Sequence, residues 1–426
     1  MPQAALPGFR DFYPTEFAER AYVMGVWRDS MRRYAFTEYD GPPLEPLDLY
    51  RKKSGDEIVG QLYGFTDKGG REVAMRPEMT PTFARMVAAR ANSLRKPVRW
   101  FSIPQLFRYE RQQKGRLREH FQLNADIVGE AGVTADAELL AVAIDVMRSL
   151  GLGPADVVAR VSDRRLLQSL LLGAGAAEAS LPAVYAVIDK LGREPADVSL
   201  EKLSKAAGGD ATAERILGIV NSQSVDELAA MHGGAASLGL HIDRLREYFG
   251  YLEALGVSEW VRLDLSIVRG LAYYTGIVFE LFDAHGEFRA ICGGGRYDTL
   301  LDTLGGVDLP ALGFGMGDVV LGDLLRARGL MPAAAAVTDF WIAADDETLT
   351  TAVMSLAARL RGRNKSVEYA LKPQALARQL KAATSAGARQ AVILLRDRVG
   401  EGDVTIRDLH DGEERTLPLE QFINSQ

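Results

Sequence analysis

The first regular pattern along the chain predicts a helix that begins at Thr15. Thr15 is a residue type favoured at helix N-caps, and Glu16 and Glu19 follow in the first turn. Apolar residues then recur every three or four positions, which places them on one helical face. They are Phe17, Ala21, Met24, Trp27, Met31 and Tyr34. A second helix is predicted from Thr134 to about Leu150.

Strand-like segments lie between and after these helices. They are rich in β-branched and aromatic residues and are bounded by turn residues. They cover 36–39, 62–66, 73–76, 98–110, 261–268 and 273–282. Beyond Pro332, buried strands alternate with helices, a pattern typical of a small α/β domain. We therefore predict an α+β body over 1–330, a helical insertion within it at 166–256, and an α/β domain at 333–426.

Composition narrows the class of protein. The chain is 47% hydrophobic and 25% charged, as expected of a globular protein, and it has no apolar run of the about 20 residues that a membrane helix needs. Its single cysteine, Cys292, excludes a disulfide framework and a cysteine-based zinc cluster. Residues 1–10 lack the features of a signal peptide, so we expect a cytoplasmic protein. The net charge of −7 argues against a DNA-binding protein but permits local basic patches for RNA.

The segment 106–126 carries the densest polar chemistry. Residues two apart in a strand share a face, so Arg108 and Glu110 point the same way. On the returning strand the residues that share a face are Gln122, Asn124 and Asp126. The loop 111–118 between these strands is basic. A basic loop alone is more often a solvated hairpin, but the polar inward face favours a site for a polyanion and a small polar ligand.

These residues resemble motif 2 of the histidyl-tRNA synthetases, a family of class II aminoacyl-tRNA synthetases. The resemblance implies that Arg108 holds the α-phosphate of ATP and that Glu110 contacts the adenine amino group. The other residues implied to contact ATP are Arg116, Arg118, His120 and Phe121. Those implied to contact the acceptor end of tRNA are Arg111, Gln113 and Lys114.

Two further segments resemble the same family. The segment 75–81 is similar to the one that holds the substrate amino group, and a carboxylate and a hydroxyl there can accept from an ammonium. The segments 267–276 and 292–298 resemble the block particular to histidyl enzymes, which implies that Arg269 lies between the substrate carboxylate and the α-phosphate. The residues implied to bind histidine are Glu78, Met79, Thr80, Gln122, Asp126, Tyr273, Tyr274 and Tyr297. Taken alone, Arg-Pro-Glu is a common turn, Gly-Gly-Gly can be a tight turn, and Tyr-Tyr can be a pair of core residues. Their joint occurrence in the order of the family favours a histidine-binding site.

The chain departs from the family pattern at three positions. The segment 313–317 is similar to motif 3, but Val320 stands where class II enzymes have an arginine. His120 occupies the position of an adenine-stacking aromatic residue, and Ala272 replaces a usual aspartate. A branch of the family that includes plant-organelle-like enzymes shares these changes, so we interpret them as features of a lineage.

The resemblance predicts a ligase that loads histidine onto histidine tRNA. It implies ATP as a substrate with Mg²⁺, no metal site built from side chains, and a homodimer formed through a motif 1 matched by 16–46. The main alternative is the regulatory subunit of ATP phosphoribosyltransferase, which resembles the catalytic core but does not aminoacylate and usually lacks an anticodon domain. A histidine-sensing domain is a third hypothesis. Arg108, Glu110, Arg269 and the C-terminal domain favour the ligase.

Overall fold

The computed structural model describes residues 5–54, 56–109, 115, 117–192, 194–232, 236–268, 273–333 and 338–426. The chain divides into two compact units, Met1–Met331 and Pro332–Gln426. Each unit has its own central sheet. Within the described part of the chain, no helix combines the length and hydropathy needed to cross a membrane.

The first unit contains twelve α-helices and twelve strands among its described residues. Its helices are α1 (Pro14–Arg33), α2 (Leu47–Ser54), α3 (Thr80–Arg90), α4 (Val133–Ser149), α5 (Arg164–Gly173), α6 (Leu181–Ile188), α7 (Ala196–Ala207), α8 (Asp210–Val220), α9 (Val225–His232), α10 (Ala236–Ala254), α11 (Leu300–Gly305) and α12 (Asp318–Ala327). Its strands are β1 (Thr37–Glu38), β2 (Leu44–Pro46), β3 (Gly64–Thr66), β4 (Glu72–Met75), β5 (Val98–Ser102), β6 (Gln105–Phe107), β7 (Glu119–Val128), β8 (Val157–Asp163), β9 (Val261–Leu263), β10 (Ile277–Asp283), β11 (Cys292–Arg296) and β12 (Ala311–Gly317). Short 3-10 helices lie at Asp56–Gln61, Glu178–Ser180 and Ser258–Trp260.

The central sheet of this unit has nine strands, in the order β1-β5-β7-β12-β11-β10-β8-β9, with β6 paired to β7. Only the outer pairs β1–β5 and β8–β9 are parallel among these ladders. A second, three-stranded sheet has the order β2-β4-β3. The predicted α+β class with a largely antiparallel sheet is confirmed.

Helix α4 covers one face of the central sheet. Its sequence is apolar nearly all round, as expected of a helix enclosed in a core. Leu140 and Ile144 of α4 belong to the same buried cluster as Leu123, Ala125 and Phe314 of the sheet. Leu123 and Ala125 alternate with Gln122 and Asn124 along β7, so the apolar residues pack on α4 and the polar ones face away from it.

Several local predictions need correction. Helix α1 begins at Pro14 with Tyr13 as N-cap, so Thr15 lies inside the first turn. Phe17 is exposed instead of lying on the buried stripe. The predicted strand 98–110 is divided into β5 and β6, because Pro104 between them has no N–H to donate to a ladder.

Helices α5–α10 follow one another between β8 and β9. They span Arg164–Ala254, which overlaps the predicted helical insertion at 166–256. Strand β8, immediately before them, was absent from the predicted elements. Its burial alternates only in part, because β8 lies inside the sheet between β10 and β9.

The second unit is an α/β structure. Its strands are β13 (Phe340–Ala344), β14 (Val367–Tyr369), β15 (Gln390–Leu394), β16 (Asp403–Asp408) and β17 (Glu414–Pro418), in the order β14-β13-β15-β16-β17. Its helices are α13 (Thr350–Arg361), α14 (Leu376–Ser385), α15 (Arg396–Val399) and α16 (Leu419–Asn424), with a 3-10 turn at Glu347–Leu349. The first three strands of that order are parallel and the others antiparallel.

A buried ion pair joins the end of β11 to α4. Arg296 Nη2 lies 2.6 Å from Asp136 Oδ2, and the two side chains are 1% and 2% exposed. The guanidinium also donates to the backbone carbonyls of Glu130 at 2.9 Å and Gly132 at 3.2 Å. All the charge is therefore paired or hydrogen-bonded, as burial requires. Because Tyr297 follows Arg296 directly, this pair also positions the residue that enters the site described below.

We expect Arg296→Ala to destabilise the protein strongly, because it leaves the buried Asp136 carboxylate with only Arg244, 3.7 Å away, as a cationic partner. The expected loss in the free energy of unfolding is about 3–5 kcal/mol, measured by urea denaturation. Arg246→Ala is the matched control, since Arg246 and Asp226 form a pair whose side chains are 47% and 85% exposed. Its loss should stay below about 1 kcal/mol. Equal losses in the two variants would contradict this account of Arg296.

Candidate functional site

Glycines alternate along two adjacent strands of the central sheet. They are Gly313, Gly315 and Gly317 on β12 and Gly293 and Gly295 on β11. The pairing register places Gly313 opposite Gly295 and Gly315 opposite Gly293. Residues paired directly across antiparallel strands lie on the same face. These five residues, here called the glycine face, therefore leave that part of the sheet without side chains.

The polar side chains of β7 lie beside the glycine face. Asp126, Asn124 and Gln122 pair with Gly313, Gly315 and Gly317 respectively. A Cβ atom at position 315 would lie 2.8 Å from the Gln122 amide nitrogen, and one at position 313 would collide with the Asp126 carboxylate. The alternating glycines are thus required for these polar side chains to adopt their positions.

A cavity of about 450 Å³ opens on the glycine face. The helix-covered core lies on the other side of the sheet, so this face is the one available to a ligand. The polar and aromatic side chains along the cavity are Glu78, Thr80, Arg108, His120, Gln122, Asn124, Asp126, Tyr273, Tyr274, Glu280, Arg289 and Tyr297. Three of the charged ones are carboxylates and two are arginines.

One end of the cavity contains a buried carboxyl–phenol pair. Asp126 is 4% exposed and Tyr297 is 2% exposed. The Tyr297 hydroxyl donates to Asp126 Oδ1. Burial raises the pKa of Asp126 to about 7, against the opposing effects of the Tyr297 hydrogen bond and the charge of Lys53. The carboxyl therefore changes charge near neutral pH and can accept from a donor such as an imidazole N–H.

A second carboxylate lies at the same end but is held ionised. Lys53 of α2 pairs with Glu78, and its side chain is only 4% exposed. Burial alone would raise the pKa of Glu78, but the charges of Lys53 and Arg108 lower it below its usual value. The Lys53 ammonium also lies 4.5 Å from the centre of the Tyr273 ring. Glu78 is thus prepared to accept hydrogen bonds from an ammonium group.

Two arginines line the cavity at different places. Arg108 Nε donates to the carbonyl of Pro77 at 3.0 Å, which fixes its guanidinium beside Glu78. Arg289, on the connection between β10 and β11, lines the cavity near Val320. The end with Asp126 and Glu78 is here called the acidic end, and Arg108 and Arg289 form a basic part of the cavity that begins beside Glu78. This arrangement fits an ammonium and an imidazole near the carboxyl groups and phosphates near the arginines.

Two family models match the chain. The model for histidyl-tRNA synthetase matches residues 8–317, and the model for an anticodon binding domain matches residues 337–425. The chain belongs to the histidyl-tRNA synthetase family. The predicted resemblance to this family is confirmed.

Several proteins are similar to this chain over almost its whole length. A histidine–tRNA ligase of Opitutus terrae is 44% identical over 98% of this chain and 96% of its own. The chloroplastic/mitochondrial histidine–tRNA ligase of Arabidopsis thaliana is 40% identical over 97% of this chain and 84% of its own. The crystal structure of histidyl-tRNA synthetase from Nostoc sp. PCC 7120 covers 100% of this chain and 99% of its own, with a TM-score of 0.87 at 22% identity, a likeness of fold.

Most of the site residues predicted for this synthetase family that the structure describes come together. Those that line the cavity are Glu78, Thr80, Arg108, His120, Gln122, Asp126, Tyr273, Tyr274 and Tyr297. Six predicted residues lie outside the described part of the chain: Glu110, Arg111, Gln113, Lys114, Arg116 and Arg269. Their roles stay predictions from the resemblance.

Three predicted contacts are placed elsewhere. Phe121 alternates with Gln122 and therefore points to the opposite face of β7, where its ring lies 4.6 Å below the Arg20 guanidinium. The side chain of Met79 is fully buried against Arg76 and does not line the cavity. The guanidinium of Arg118 lies over the ring of Tyr109, 4.5 Å from its centre. These three side chains do not line the cavity.

Three groups at the site were not predicted from the sequence: Lys53, Glu280 and Arg289. Asn124 was predicted to lie on the polar face, but no role was assigned to it. The glycines of β11 and β12 were interpreted as turn or motif residues instead of as one surface. The signal for that surface is the alternation Gly-Phe-Gly-Met-Gly at 313–317, because glycine at every second position of a strand removes all side chains from one face.

The raised pKa of Asp126 makes the stability of the ligand-free protein depend on pH. Between about pH 4 and pH 7 the folded protein holds a proton on Asp126 that the unfolded chain releases. The contribution of Asp126 to the free energy of unfolding is therefore complete below about pH 4 and is lost as the pH rises to about 7.

We expect Asp126→Asn to gain stability relative to the wild type as the pH rises from 5 to 7, by roughly 1.4 kcal/mol per pH unit. Urea denaturation of both proteins across this range measures the difference. Glu78→Gln is the control, because the lowered pKa of Glu78 leaves that group ionised throughout. A difference between Asp126→Asn and wild type that does not change with pH would show that Asp126 is already ionised at pH 5.

Proposed function

We propose that the chain is a histidine–tRNA ligase, which activates histidine with ATP and transfers it to histidine tRNA. The observation that carries the proposal is the Asp126–Tyr297 pair at the acidic end of a cavity on the glycine face. Similar proteins support the same activity, since a histidine–tRNA ligase of Opitutus terrae is 44% identical over 98% of this chain.

Histidine fits the acidic end of the cavity. Its imidazole needs an acceptor for one nitrogen and a donor for the other, and Asp126 with a neighbouring tyrosine hydroxyl supplies both. Glu78 and Thr80 supply oxygen atoms for the α-ammonium group. The Lys53 ammonium pairs with Glu78. When histidine binds, Lys53 shares that carboxylate with the α-ammonium group of histidine.

ATP is the second substrate, as the family implies. We place its α-phosphate near Arg108, between the histidine carboxylate and the basic part of the cavity. A histidine carboxylate oxygen attacks the α-phosphorus, the bond to the bridging oxygen breaks, and pyrophosphate leaves with that electron pair. Arg108, together with Arg269 as the resemblance predicts, stabilises the negative charge that develops on the α-phosphoryl oxygens. The protein contributes positioning and charge, so no nucleophilic side chain is needed.

We propose that Mg²⁺ binds at this site together with ATP. Among the described residues, no group of three or more histidine, cysteine, aspartate or glutamate side chains is arranged to hold a metal ion. Mg²⁺ usually keeps several waters and binds through substrate phosphates and one or two carboxylates. Glu280, which lines the cavity, is the carboxylate that fits this role.

The transfer step requires tRNA. The terminal ribose hydroxyl of histidine tRNA attacks the carbonyl carbon of the adenylate, and AMP leaves. We assign recognition of the anticodon to the second unit, residues 333–426, and catalysis to residues 1–330, with the insertion at 166–256. We also propose that the chain acts as a cytoplasmic homodimer, as the family resemblance implies.

The regulatory subunit of ATP phosphoribosyltransferase stays the alternative. It resembles the catalytic core, and a likeness of fold does not distinguish the two functions. The match of residues 337–425 to an anticodon binding domain favours the ligase.

Pyrophosphate exchange into ATP, without tRNA, tests the proposal. We expect histidine to drive exchange and the other amino acids to drive it at least about 100-fold more slowly, because an analogue that cannot pair with buried polar groups is rejected strongly. If calorimetry shows that histidine binds to the wild type but no amino acid drives exchange, the result would favour the regulatory function instead. A folded Asp126→Ala variant should lose histidine-dependent exchange, while the surface variant Arg246→Ala should retain it.

A further inference from the structure

The basic part of the cavity is formed from two separate segments of the chain. Among its described lining residues, the two arginines are Arg108 and Arg289. Arg108 is held beside Glu78, where its charge lowers the pKa of that carboxyl. Arg289 lies on the loop that joins β10 to β11, across β12 from the β6–β7 side of the sheet that carries Arg108. The two guanidinium groups can therefore contact different parts of a bound ligand.

The position of Arg289 along the cavity follows from the strand register. Gly295 lies in the row of Asp126 and Gly313, and Gly293 lies one row farther along, with Gly315. The chain leaves β11 at Cys292 and reaches Arg289 beyond it. Arg289 thus lies toward the end of the cavity that is distant from Asp126, the end lined also by His120.

Val320 and Arg289 approach the same point from two sides. A Cβ atom at Gly115 would lie 3.4 Å from Val320 Cγ2 and 3.9 Å from Arg289 Cδ. Val320 is an apolar, partly buried residue packed on the main core, so it supplies no charge there. The stem of Arg289 occupies that neighbourhood with a guanidinium at its end, which has the planar fork suited to phosphate oxygens.

The loop that carries Arg289 is held by contacts with the buried Asp283 and with Arg328. Asp283, which is 2% exposed, accepts from the backbone N–H groups of His285 at 3.2 Å and Glu287 at 2.8 Å. Arg328 pairs with Asp283 at 2.7 Å and with Glu287 at 3.3 Å. The backbone that leads into Arg289 is therefore fixed, and an exposed arginine on a fixed loop is positioned to meet a ligand at the cavity mouth.

We propose that Arg289 binds the β- and γ-phosphates of ATP and provides at this site the guanidinium that position 320 lacks. This rests on the proposed function, in which the α-phosphate lies near Arg108. From there the two terminal phosphates extend away from the acidic end, toward the wall that Arg289 forms. Arg289 then contacts the part of ATP that leaves as pyrophosphate and makes no contact with the AMP portion.

The test compares the affinities of ATP and AMP in wild type, Arg289→Ala and Arg289→Lys by calorimetry at one Mg²⁺ concentration. We expect Arg289→Ala to weaken ATP binding by about 10- to 100-fold. AMP and histidine should bind as they do to the wild type. Lysine should restore part of the ATP affinity, because it keeps the charge but loses the fork.

Arg326→Ala is the matched control. Arg326 is an arginine of α12 whose side chain is 52% exposed and pairs with Glu19 outside the cavity. It should leave ATP affinity unchanged. Unchanged ATP affinity in Arg289→Ala, or equal losses for ATP and AMP, would overturn the proposal. Arg289→Gln, which retains a polar stem, repeats the comparison if the alanine variant melts at a lower temperature.

The same proteins separate this proposal from the proposed function. If the wild type binds ATP and no amino acid drives pyrophosphate exchange, the ligase activity fails while the assignment of Arg289 to the terminal phosphates stands. If histidine drives exchange and Arg289→Ala has the wild-type Michaelis constant for ATP, the assignment of Arg289 fails and the ligase activity stands.

Discussion

The absence of side chains from one face of two adjacent strands determines the architecture of the site. A sheet ordinarily buries each face against apolar side chains. Here helix α4 and the core cover one face, whereas the glycine face offers no side chain to pack against. The polar residues of β7 occupy the edge of this surface because β12 has glycines opposite them. The cavity therefore results directly from the pattern of glycines, and the charged groups surround it.

Burial affects the two carboxyl groups at the acidic end differently. Asp126 has one phenol as hydrogen-bond donor, and burial raises its pKa to about 7. Glu78 is paired with Lys53, and its pKa is lowered despite burial. Groups whose pKa values are moved apart by their surroundings are often assigned different tasks. A group that titrates near neutrality matches an imidazole, and a permanent carboxylate matches an ammonium.

The sequence predicted the main elements, and its resemblance to the family identified most of the polar and aromatic residues that line the cavity, such as Arg108 and Asp126. It did not predict Lys53 or Arg289. Lys53 pairs with Glu78, which is 25 positions away in the sequence. A local pattern of residues cannot predict such a contact. The resemblance implied an ATP contact for Phe121, but its alternation with Gln122 directs it to the opposite face of β7. Strand β8 lies between two other strands, where half-buried alternation is weak.

The most direct test of this account is the pyrophosphate exchange rate of Gly293→Val. A Cβ at Gly293 would have its nearest contact at 3.7 Å, with Glu280, so the variant should fold and direct its side chain into the cavity. By comparison, a Cβ at Gly294, on the opposite face, would lie 2.5 Å from Phe314 Cβ and disturb the core. We predict that Gly293→Val melts near the wild-type temperature and loses histidine-dependent exchange. A folded Gly293→Val protein that exchanges at the wild-type rate would contradict the claim that the substrates lie on the glycine face.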